Sequence, residues 1–298
     1  MTESINRLFA ALETPRVRIQ DEETRLFQEI IQEYCGVSYG IESAFFLERR
    51  LGPRLDHLGL SDYSEYYRYL RYDTNGQAEL EELVERITTH ETYFFREQYQ
   101  LDAFSEEILP RLVTQNRKRK NLSIWSAGCS TGEEVYTIAM LLREFGGFDD
   151  WALRVVGSDI SRRVLSHARA GQYNLGSFRT TSEVLKRRYF QETPQWYNVR
   201  DDVRSLCSFG QLNLLATERF RVIGSVDVIF CRNVLMYLSH DSRLRVVEAF
   251  YDQLRPGGYL LLGHSESLLN VTTRFELAHL EKDLVYRKPD ATDAGDPR

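Results

Sequence analysis

The chain has 298 residues, of which 42% are hydrophobic and 28% are charged, and its formal net charge is −6. This length predicts one large domain or two ordinary ones with a substantial core. The acidic balance argues against a nucleic-acid-binding protein that works by bulk charge, because phosphate contacts dominate the affinity of such proteins.

The cysteines and the N-terminus indicate the class of protein. Four cysteines lie far apart and form no Cys-x-x-Cys pair, so the sequence predicts neither a disulfide framework nor a zinc site. The N-terminus has no apolar core of signal-peptide length, and no run approaches the ~20 apolar residues of a membrane span. We therefore expect a cytoplasmic protein with free thiols, no bound metal and no direct membrane insertion.

Residues 1–88 are predicted to form a small all-helical domain, because apolar residues recur at helical spacing and no strand pattern appears. The stretch that ends at Gly36 reads as one helix, and this glycine suits a C-cap. The following stretch places leucines at helical spacing. Gly52 and Pro53 fall within it and predict a kink or a break.

Residues 89–120 read as a linker followed by a helix, and they end in a basic run that a solvated loop explains adequately. From 121 to 288, strands alternate with helices, which predicts a mostly parallel sheet covered by helices on both faces. The alternation weakens near 171–212, where the pattern favours a small antiparallel β insertion beside the sheet. The tail at 289–298 is predicted to be disordered.

The segment WSAGCSTGEEVYTIAM joins the first strand of the sheet to a helix through a loop of small residues. Its glycines, Gly128 and Gly132, match neither the Gly-x-Gly-x-x-Gly pattern of dinucleotide-binding loops nor the P-loop pattern. Glu133 and Glu134 occupy the helix N-terminus, where they would repel a phosphate. The loop therefore favours a ligand that is cationic or lacks phosphate, unless the glycines only form a tight turn.

S-adenosylmethionine is a ligand of this kind, because it carries a sulfonium, an ammonium and a ribose but no phosphate. A carboxylate at the end of the second strand can accept hydrogen bonds from both ribose hydroxyls. Asp159 lies there, about 25 residues beyond the loop, as in dinucleotide folds. Its alternative role is to cap the next helix. Together, loop and carboxylate predict a nucleoside site.

Six segments together resemble the CheR family of chemotaxis receptor methyltransferases, over nearly the whole chain. They are TTHETYFFRE, WSAGCSTGEEVYTIAM, GSDIS, LNLL, FCRNVLMYL and GYLLLGHSES. The resemblance implies an α/β fold: a class I S-adenosylmethionine-dependent methyltransferase (Rossmann-like) sheet with a small antiparallel β insertion, preceded by a small all-α N-terminal domain. It also implies methyl transfer from S-adenosylmethionine to glutamate side chains in the cytoplasmic helical region of chemoreceptors. The products would be glutamate methyl esters and S-adenosylhomocysteine.

The resemblance also assigns roles to residues at matching positions. Arg96 would orient the substrate carboxylate or the cofactor, and Tyr237 would donate a hydrogen bond to that carboxylate. The alternatives are a surface salt bridge of Arg96 with Glu91 or Glu97, and a half-buried helical position for Tyr237. The implied cofactor-binding residues are His90, Thr92, Arg96, Glu134, Asp159, Asn213, Leu214, Cys231, Arg232 and Asn233.

Within this set, Asn213 and Leu214 are expected to flank the adenine, and the backbone of 231–233 to face the methionine part. His90 stands where the family commonly has asparagine. A catalytic role for the Cys231 thiol is disfavoured, because no histidine is placed to activate it. His264 is expected to pack rather than to bind a metal.

Two features bear on the partner. Three arginines of the N-terminal domain form either a solvated face or a basic surface for acidic receptor helices; they are Arg49, Arg50 and Arg54. The insertion lacks the glycine-rich loop with which some family members bind a receptor's C-terminal peptide as an added strand. We therefore predict methylation without that tether, by a protein that needs to be no more than a monomer.

Other functions are compatible with the same pattern. One is a methyltransferase of this fold that acts on another substrate, such as a different protein. Another is a non-catalytic S-adenosylmethionine sensor that signals through the helical domain, although Arg96 and Tyr237 argue against it. A nicotinamide dehydrogenase is disfavoured by the broken glycine pattern. Turnover with purified receptor would separate the enzyme from the sensor.

Overall fold

A computed structural model describes residues 17–290, apart from the side chain of Ile41, and the chain divides into two compact units. Unit 1 ends at Thr88, and unit 2 begins at Thr89. Residues 291–298 of the predicted disordered tail lie outside the described residues, as do residues 1–16 of the predicted helical domain. Between 17 and 290, no helix is both long and apolar enough to cross a membrane.

Unit 1 is all-helical over its described residues, as predicted. Its helices are α1 (Asp21–Cys35), α2 (Ala44–Leu58), α3 (Tyr63–Tyr72) and α4 (Gly76–Ile87), with a 3-10 turn at Ile41–Ser43. Gly36 ends α1 in the left-handed conformation, at φ 77°. Asp62 caps α3, because its carboxylate accepts a hydrogen bond from the Glu65 N–H at 2.7 Å. Both ends therefore follow signals present in the sequence.

Helix α2 continues through Pro53, so the chain does not break there. A proline inside a helix removes one hydrogen bond and costs about 3 kcal/mol. Leu47, Leu51 and Leu55 are buried on one face of α2. Full burial of each leucine contributes about 1.5–3 kcal/mol, which is enough to offset the cost of the proline.

Arg54 does not belong to a solvated basic surface, so this part of the predicted partner surface is wrong. Its side chain points into unit 1, and the residue is only 9% exposed. The guanidinium donates to both Glu79 oxygens, at 2.8 and 2.5 Å, and the Tyr66 hydroxyl donates to the same carboxylate at 2.7 Å. The hydrogen bonds to Glu79 raise the pKa of Arg54. Arg49 and Arg50 are exposed.

Unit 2 opens with α5 (Gln98–Ala103), which continues through a π-helical turn (Phe104–Ile108) into α6 (Leu109–Gln115). The strands of its main sheet are β1 (Asn121–Ala127), β2 (Ala152–Asp159), β6 (Cys207–Gln211), β7 (Val226–Cys231), β8 (Leu254–Leu262), β9 (Glu276–His279) and β10 (Leu284–Arg287). The spatial order is β6-β2-β1-β7-β8-β10-β9. The first five strands are parallel, and β10 is antiparallel to both of its neighbours.

The central strands are buried on both faces, which explains their nearly continuous hydrophobic sequences. Every residue of β7 is buried. The Trp125 ring contacts Phe250 edge-on at 5.2 Å on one face, and Phe230 contacts Phe104 in the same way on the other. The covering helices include α7 (Glu133–Phe145), α8 (Arg162–Ala170) and α11 (His240–Gln253). The predicted mostly parallel sheet is confirmed, and the antiparallel hairpin of β9 and β10 forms one end of it.

The small antiparallel sheet exists, but it is shorter than expected. It contains β3 (Gln172–Tyr173), β5 (Tyr197–Val199) and β4 (Phe190–Glu192), in that spatial order, with α9 (Glu183–Tyr189) before β4. Strand β6 falls within the predicted insertion but pairs in parallel with β2 in the main sheet, after the short helix α10 (Asp201–Arg204). Pairing with β6 covers the edge that β2 would otherwise expose.

The chain order creates a topological switch between β1 and β7. After β1, the chain adds β2 and β6 on one side, and it then crosses over to add β7 and β8 on the other side. In open α/β sheets, ligands bind outside the carboxyl ends of the strands at such a point. The fold therefore predicts a ligand site at the loops that follow β1, β2 and β7.

Candidate functional site

The loop after β1 requires its two glycines. Gly128 and Gly132 have φ angles of 82° and 93°, in the region that side chains disfavour. A Cβ at Gly128 would lie 2.5 Å from a methyl group of Val234, and a Cβ at Gly132 would lie 2.8 Å from the Cβ of Ala168. The N–H of Gly128 donates to the carbonyl of Ser158 at 2.8 Å. The loop is therefore closed against the end of β2.

Asp159 ends β2 beside this loop, and its carboxylate is fixed in place. One oxygen accepts the N–H of Ser130 at 2.8 Å and the other accepts the N–H of Ser161 at 3.0 Å. The cap of α8 is Ser161, whose hydroxyl accepts the N–H of Val164. Helix capping therefore does not account for Asp159, which is 8% exposed.

The residues predicted to flank an adenine follow β6 directly. The N–H of Leu212 donates to the carbonyl of Asp159 at 2.9 Å, so this segment starts beside the end of β2. Asn213 and Leu214 come next, and both are partly exposed. The Asn213 side-chain oxygen accepts the N–H of Leu215 at 3.0 Å, which fixes the amide in a local turn.

The two glutamates at the start of α7 have different environments. Glu133 is 3% exposed and accepts hydrogen bonds from the hydroxyls of Thr131 at 2.6 Å and Ser177 at 3.0 Å. Glu134 accepts from Ser126 at 2.7 Å and also contacts a guanidinium at the end of β7. Burial raises the pKa of both carboxyl groups, and the nearby guanidinium opposes this shift at Glu134. Only Glu134 joins the charged groups at the switch point.

That guanidinium belongs to Arg232, which connects three segments. It donates to Glu134 at 3.3 Å, to the backbone carbonyl of Arg96 at 2.6 Å and to the Glu97 carboxylate at 3.1 Å. The Arg232 side chain is almost completely buried, and its Nε has no hydrogen-bond partner among residues 17–290. Sequence reasoning considered only the backbone of this residue.

Arg96 lies between two residues in a left-handed conformation, Phe95 at φ 59° and Glu97 at φ 57°. Such a conformation costs about 1–3 kcal/mol at a residue other than glycine, so the surroundings must hold it. The neighbouring Phe94 ring stacks in a buried aromatic cluster. The Arg96 guanidinium donates to the backbone carbonyl of Glu91 at 2.9 Å and lies 3.9 Å from Glu97. Of the two predicted salt-bridge partners, Glu97 therefore forms only a long ion pair, and Glu91 is contacted through its backbone carbonyl.

The segment before Arg96 lies against the glycine loop. The backbone carbonyl of His90 accepts a hydrogen bond from the Ser130 hydroxyl at 3.2 Å. Thr92 is partly exposed in the same segment. His90 and Asp159 thus contact the same residue of the loop, since the Ser130 N–H binds Asp159.

The end of β7 presents residues with different roles. Cys231 is fully buried, which raises the pKa of its thiol well above the ordinary value and disfavours the reactive thiolate. Asn233 has φ 60°, and its buried side-chain oxygen has no hydrogen-bond partner in the described part of the chain. Tyr237 ends the 3-10 turn Leu235–Tyr237 and is 43% exposed. It is therefore exposed at the end of a single 3-10 helical turn, and not half-buried.

His264 does not pack into the core, so that expectation is wrong. Its side chain is 63% exposed, and its Nδ1 lies 3.0 Å from a Glu97 oxygen. Among residues 17–290, no group of three or more His, Cys, Asp or Glu side chains could hold a metal ion. The histidine instead extends the charged network of Glu97 and Arg232.

Sequence reasoning assigned no role in the site to two acidic residues of this region, Glu97 and Glu266. Glu97 ends the segment TYFFRE, and Glu266 follows the end of β8 by four residues in GHSES. For Glu266, the sequence offered only its position after a strand, since β8 ends at the same sheet edge as β7. Neither residue belongs to a periodic pattern.

This arrangement fits a ligand that combines a nucleoside with an amino-acid group. Asp159 offers a carboxylate to ribose hydroxyls, whereas Glu134 and Arg232 offer opposite charges for an ammonium and a carboxylate. The buried Asn233 oxygen and Arg232 Nε lack partners within residues 17–290, and a bound polar group would satisfy them. The fit is to S-adenosylmethionine rather than to a phosphate-bearing cofactor.

Comparison with known proteins decides the family. The S-adenosylmethionine (SAM)-binding domain of CheR methyltransferases matches residues 90–284, and their all-alpha domain matches residues 22–88. The chain belongs to the CheR methyltransferase family. This membership confirms the predicted fold class and S-adenosylmethionine as the cofactor, and it places the chain among the methyltransferases of chemotaxis.

Three curated relatives illustrate the similarity. Chemotaxis protein methyltransferase 2 of Vibrio cholerae is 34% identical, over 91% of this chain and 94% of the relative. A chemotaxis protein methyltransferase of Borreliella burgdorferi is also 34% identical, over 84% and 89%. Chemotaxis protein methyltransferase 1 of Pseudomonas aeruginosa is 31% identical, over 88% and 96%.

Proposed function

We propose that this CheR family member transfers methyl groups from S-adenosylmethionine to glutamate side chains in the cytoplasmic helical region of chemoreceptors. Its relatives are named chemotaxis protein methyltransferases. The observation that carries the proposal is the buried link from Arg232 to Glu134 and to the backbone of Arg96, at the switch point of the sheet. This link joins the predicted cofactor site to the predicted substrate-orienting residue.

Bound S-adenosylmethionine supplies a methyl group on a sulfonium, which passes to a glutamate oxygen as the C–O bond forms and the C–S bond breaks, leaving S-adenosylhomocysteine. An ionised glutamate needs no general base. The chain therefore has to hold the reacting groups in line and exclude water. This requirement agrees with a site in which burial raises the pKa of the Cys231 thiol.

Arg96 is the residue that would orient the substrate carboxylate. Its guanidinium has five N–H donors. One binds a neutral carbonyl, and the Glu97 carboxylate is 3.9 Å away, so this ion pair is too long to cancel its charge. A guanidinium in this state can steer a carboxylate without removing its nucleophilicity. Tyr237 is exposed at the neighbouring loop and would donate one hydrogen bond to the same carboxylate.

The test is transfer of radiolabelled methyl from S-adenosylmethionine to a purified receptor cytoplasmic fragment. Glutamate esters release labelled methanol in mild base, which distinguishes them from methylated nitrogen. Arg96→Ala is expected to lower kcat about 10²-fold, because orientation of the carboxylate is lost. Arg179→Ala is the matched control. Arg179 also contacts Glu91, through an ion pair with its carboxylate at 3.0 Å, but it is an exposed residue. Base-stable label, or cofactor binding without transfer, would contradict the proposal.

Methylation is also proposed to be independent of a receptor C-terminal tether, by a monomeric enzyme. The support is the turn between β4 and β5, which is closed locally: the Thr193 N–H donates to the carbonyl of Trp196 at 2.8 Å. A receptor that lacks its C-terminal peptide should be methylated as fast as the intact receptor. Measurable binding of that isolated peptide in calorimetry would refute independence.

A further inference from the structure

One carboxylate holds the loop that follows β7. Oε2 of Glu266 accepts the N–H groups of Asn233 at 2.6 Å and of Gly263 at 2.8 Å. Its Oε1 accepts the N–H groups of Val234 at 2.9 Å and of Met236 at 3.1 Å. Both oxygens are therefore used by backbone donors, and they connect the loop after β7 to the turn after β8.

We propose that Glu266 is a positioning residue for methyl transfer. This proposal rests on the proposed function. It acts through the backbone that presents Asn233 to the cofactor and Tyr237 to the substrate. Three of its four donors lie between 233 and 236. The N–H of Tyr237 in turn donates to the carbonyl of Val234 at 3.1 Å. The contacts that fix the backbone of Val234 therefore also restrict the position of Tyr237.

The loop needs such a restraint because its conformation is unfavourable. Asn233 has φ 60°, a left-handed conformation that asparagine adopts more readily than most side chains but that still costs energy relative to the right-handed region. The turn after β8 approaches closely, since a Cβ at Gly263 would lie 2.7 Å from the side-chain Nδ2 of Asn233 and 2.9 Å from Oε2 of Glu266. Without the carboxylate, the backbone N–H groups would lose their acceptor, and Asn233 would be free to leave the left-handed conformation.

Another glutamate of unit 2 restrains a backbone turn in the same way, but its role is purely structural. Glu107 accepts the N–H groups of Glu281 at 3.0 Å and Lys282 at 3.2 Å, at the turn between β9 and β10. This carboxylate also restrains a backbone turn, but that turn carries none of the predicted site residues. The two glutamates therefore form a matched pair of variants.

The experiment compares Glu266→Gln with Glu107→Gln in the full chain. At Glu266, an amide NH₂ would face two backbone N–H donors, so one pair of hydrogen bonds is replaced by donor–donor contacts. Hydrogen exchange should become faster at 233–236 in Glu266→Gln and only at 281–282 in Glu107→Gln. In Glu266→Gln, the affinity for S-adenosylhomocysteine should fall about 10-fold and kcat about 10- to 100-fold. The receptor KM should stay unchanged.

Unchanged exchange at 233–236, or faster exchange with wild-type affinity and kcat, would overturn the positioning role. If Glu266→Gln does not fold, Glu266→Asp keeps both oxygens on a side chain shorter by one methylene, and the same measurements apply. A wild-type protein that neither binds S-adenosylhomocysteine nor methylates receptor would refute the proposed function and this role together. Failure of the Glu266 prediction in an active wild-type background would refute the positioning role alone.

Discussion

At the scale of single residues, Asp159 combines a structural task with a proposed binding task. Its oxygens already accept backbone N–H groups from Ser130 and Ser161. A carboxylate oxygen can accept more than one hydrogen bond, so these two backbone contacts are compatible with the proposed hydrogen bonds from ribose hydroxyls. The residue therefore fixes the glycine loop and remains able to receive a nucleoside.

The Asp159→Ala variant should bind S-adenosylhomocysteine about 10²-fold more weakly than wild type. Two hydrogen bonds to a charged acceptor, at about 1.5–3 kcal/mol each, are more than sufficient for that loss. Calorimetric titration measures it, and Asp241→Ala, which removes an exposed carboxylate of α11, is the control. Equal affinity of the wild type and Asp159→Ala would rule out the ribose role.

Arg54 makes a second prediction at this scale. Arg54→Ala should lower the free energy of unfolding of unit 1 by about 3–5 kcal/mol, because it leaves the Glu79 carboxylate buried without its cation. Tyr66→Phe removes one hydrogen bond to the same carboxylate and should cost about 1 kcal/mol.

Hydrogen exchange of peptides from α2, α3 and α4 reports unit 1 directly. Tryptophan fluorescence does not, since Trp125, Trp151 and Trp196 all belong to unit 2. Arg49→Ala, which removes an exposed arginine of the same helix, should change stability by no more than about 0.5 kcal/mol. Equal exchange in Arg54→Ala and Arg49→Ala would show that the buried pair does not stabilise the unit.

At the scale of elements, the segment before α5 is held by charges. Burial alone would raise the pKa of Glu97, but the Arg232 guanidinium and the hydrogen bond from His264 outweigh it, and the net pKa lies below the ordinary range. A carboxylate with a lowered folded-state pKa stabilises the fold above its unfolded-state pKa of about 4.3. That contribution is lost as the pH falls through the folded-state value.

Glu97→Gln should therefore destabilise unit 2 by about 1–3 kcal/mol at neutral pH. The difference from wild type should persist down to about pH 5 and disappear in stronger acid. Urea unfolding followed by tryptophan fluorescence across this pH range measures it. Glu218→Gln, an exposed position of unit 2, should show no such dependence. A difference that grows as the pH falls would contradict a lowered pKa of Glu97 in the folded protein.

The elements also show what sequence reasoning could and could not predict. Buried parallel strands carry continuous apolar runs, so β1, β2, β7 and β8 were predictable. The short strand β6 has mixed burial, and only its pairing with β2 distinguishes it from the small sheet. In the same way, the leucine stripe of α2 did not show that Arg54 shares its buried face.

The residues of the candidate site also divide into those that the sequence could predict and those that it could not. Asp159 and the glycine loop were predictable, because their position follows from strand order. The side-chain roles of Arg232 and Glu266 depend on contacts across more than 30 residues of chain, to Arg96 and to Asn233. No local pattern encodes such contacts, so only the folded structure shows them.

At the scale of the whole molecule, a protein with a net charge of −6 is proposed to act on acidic receptor helices. Overall repulsion would slow such an encounter, unless a local surface of opposite charge steers it. Arg49 and Arg50 are exposed on α2 and can supply that surface, whereas Arg54 cannot. Charge reversal of the two exposed arginines therefore tests how unit 1 contributes to the function of unit 2.

The double variant Arg49→Glu/Arg50→Glu should raise the receptor KM about 10-fold, because two attractive charges become repulsive ones. The affinity for S-adenosylhomocysteine should stay unchanged, since Asp159 and the glycine loop belong to unit 2. Raising the ionic strength should narrow the gap between variant and wild type, because salt screens exposed charges beyond about 8–10 Å. Arg68→Glu, an exposed reversal on α3, is the matched control. Unchanged receptor kinetics in the double variant, or an equal loss in Arg68→Glu, would show that α2 does not form the receptor-binding surface.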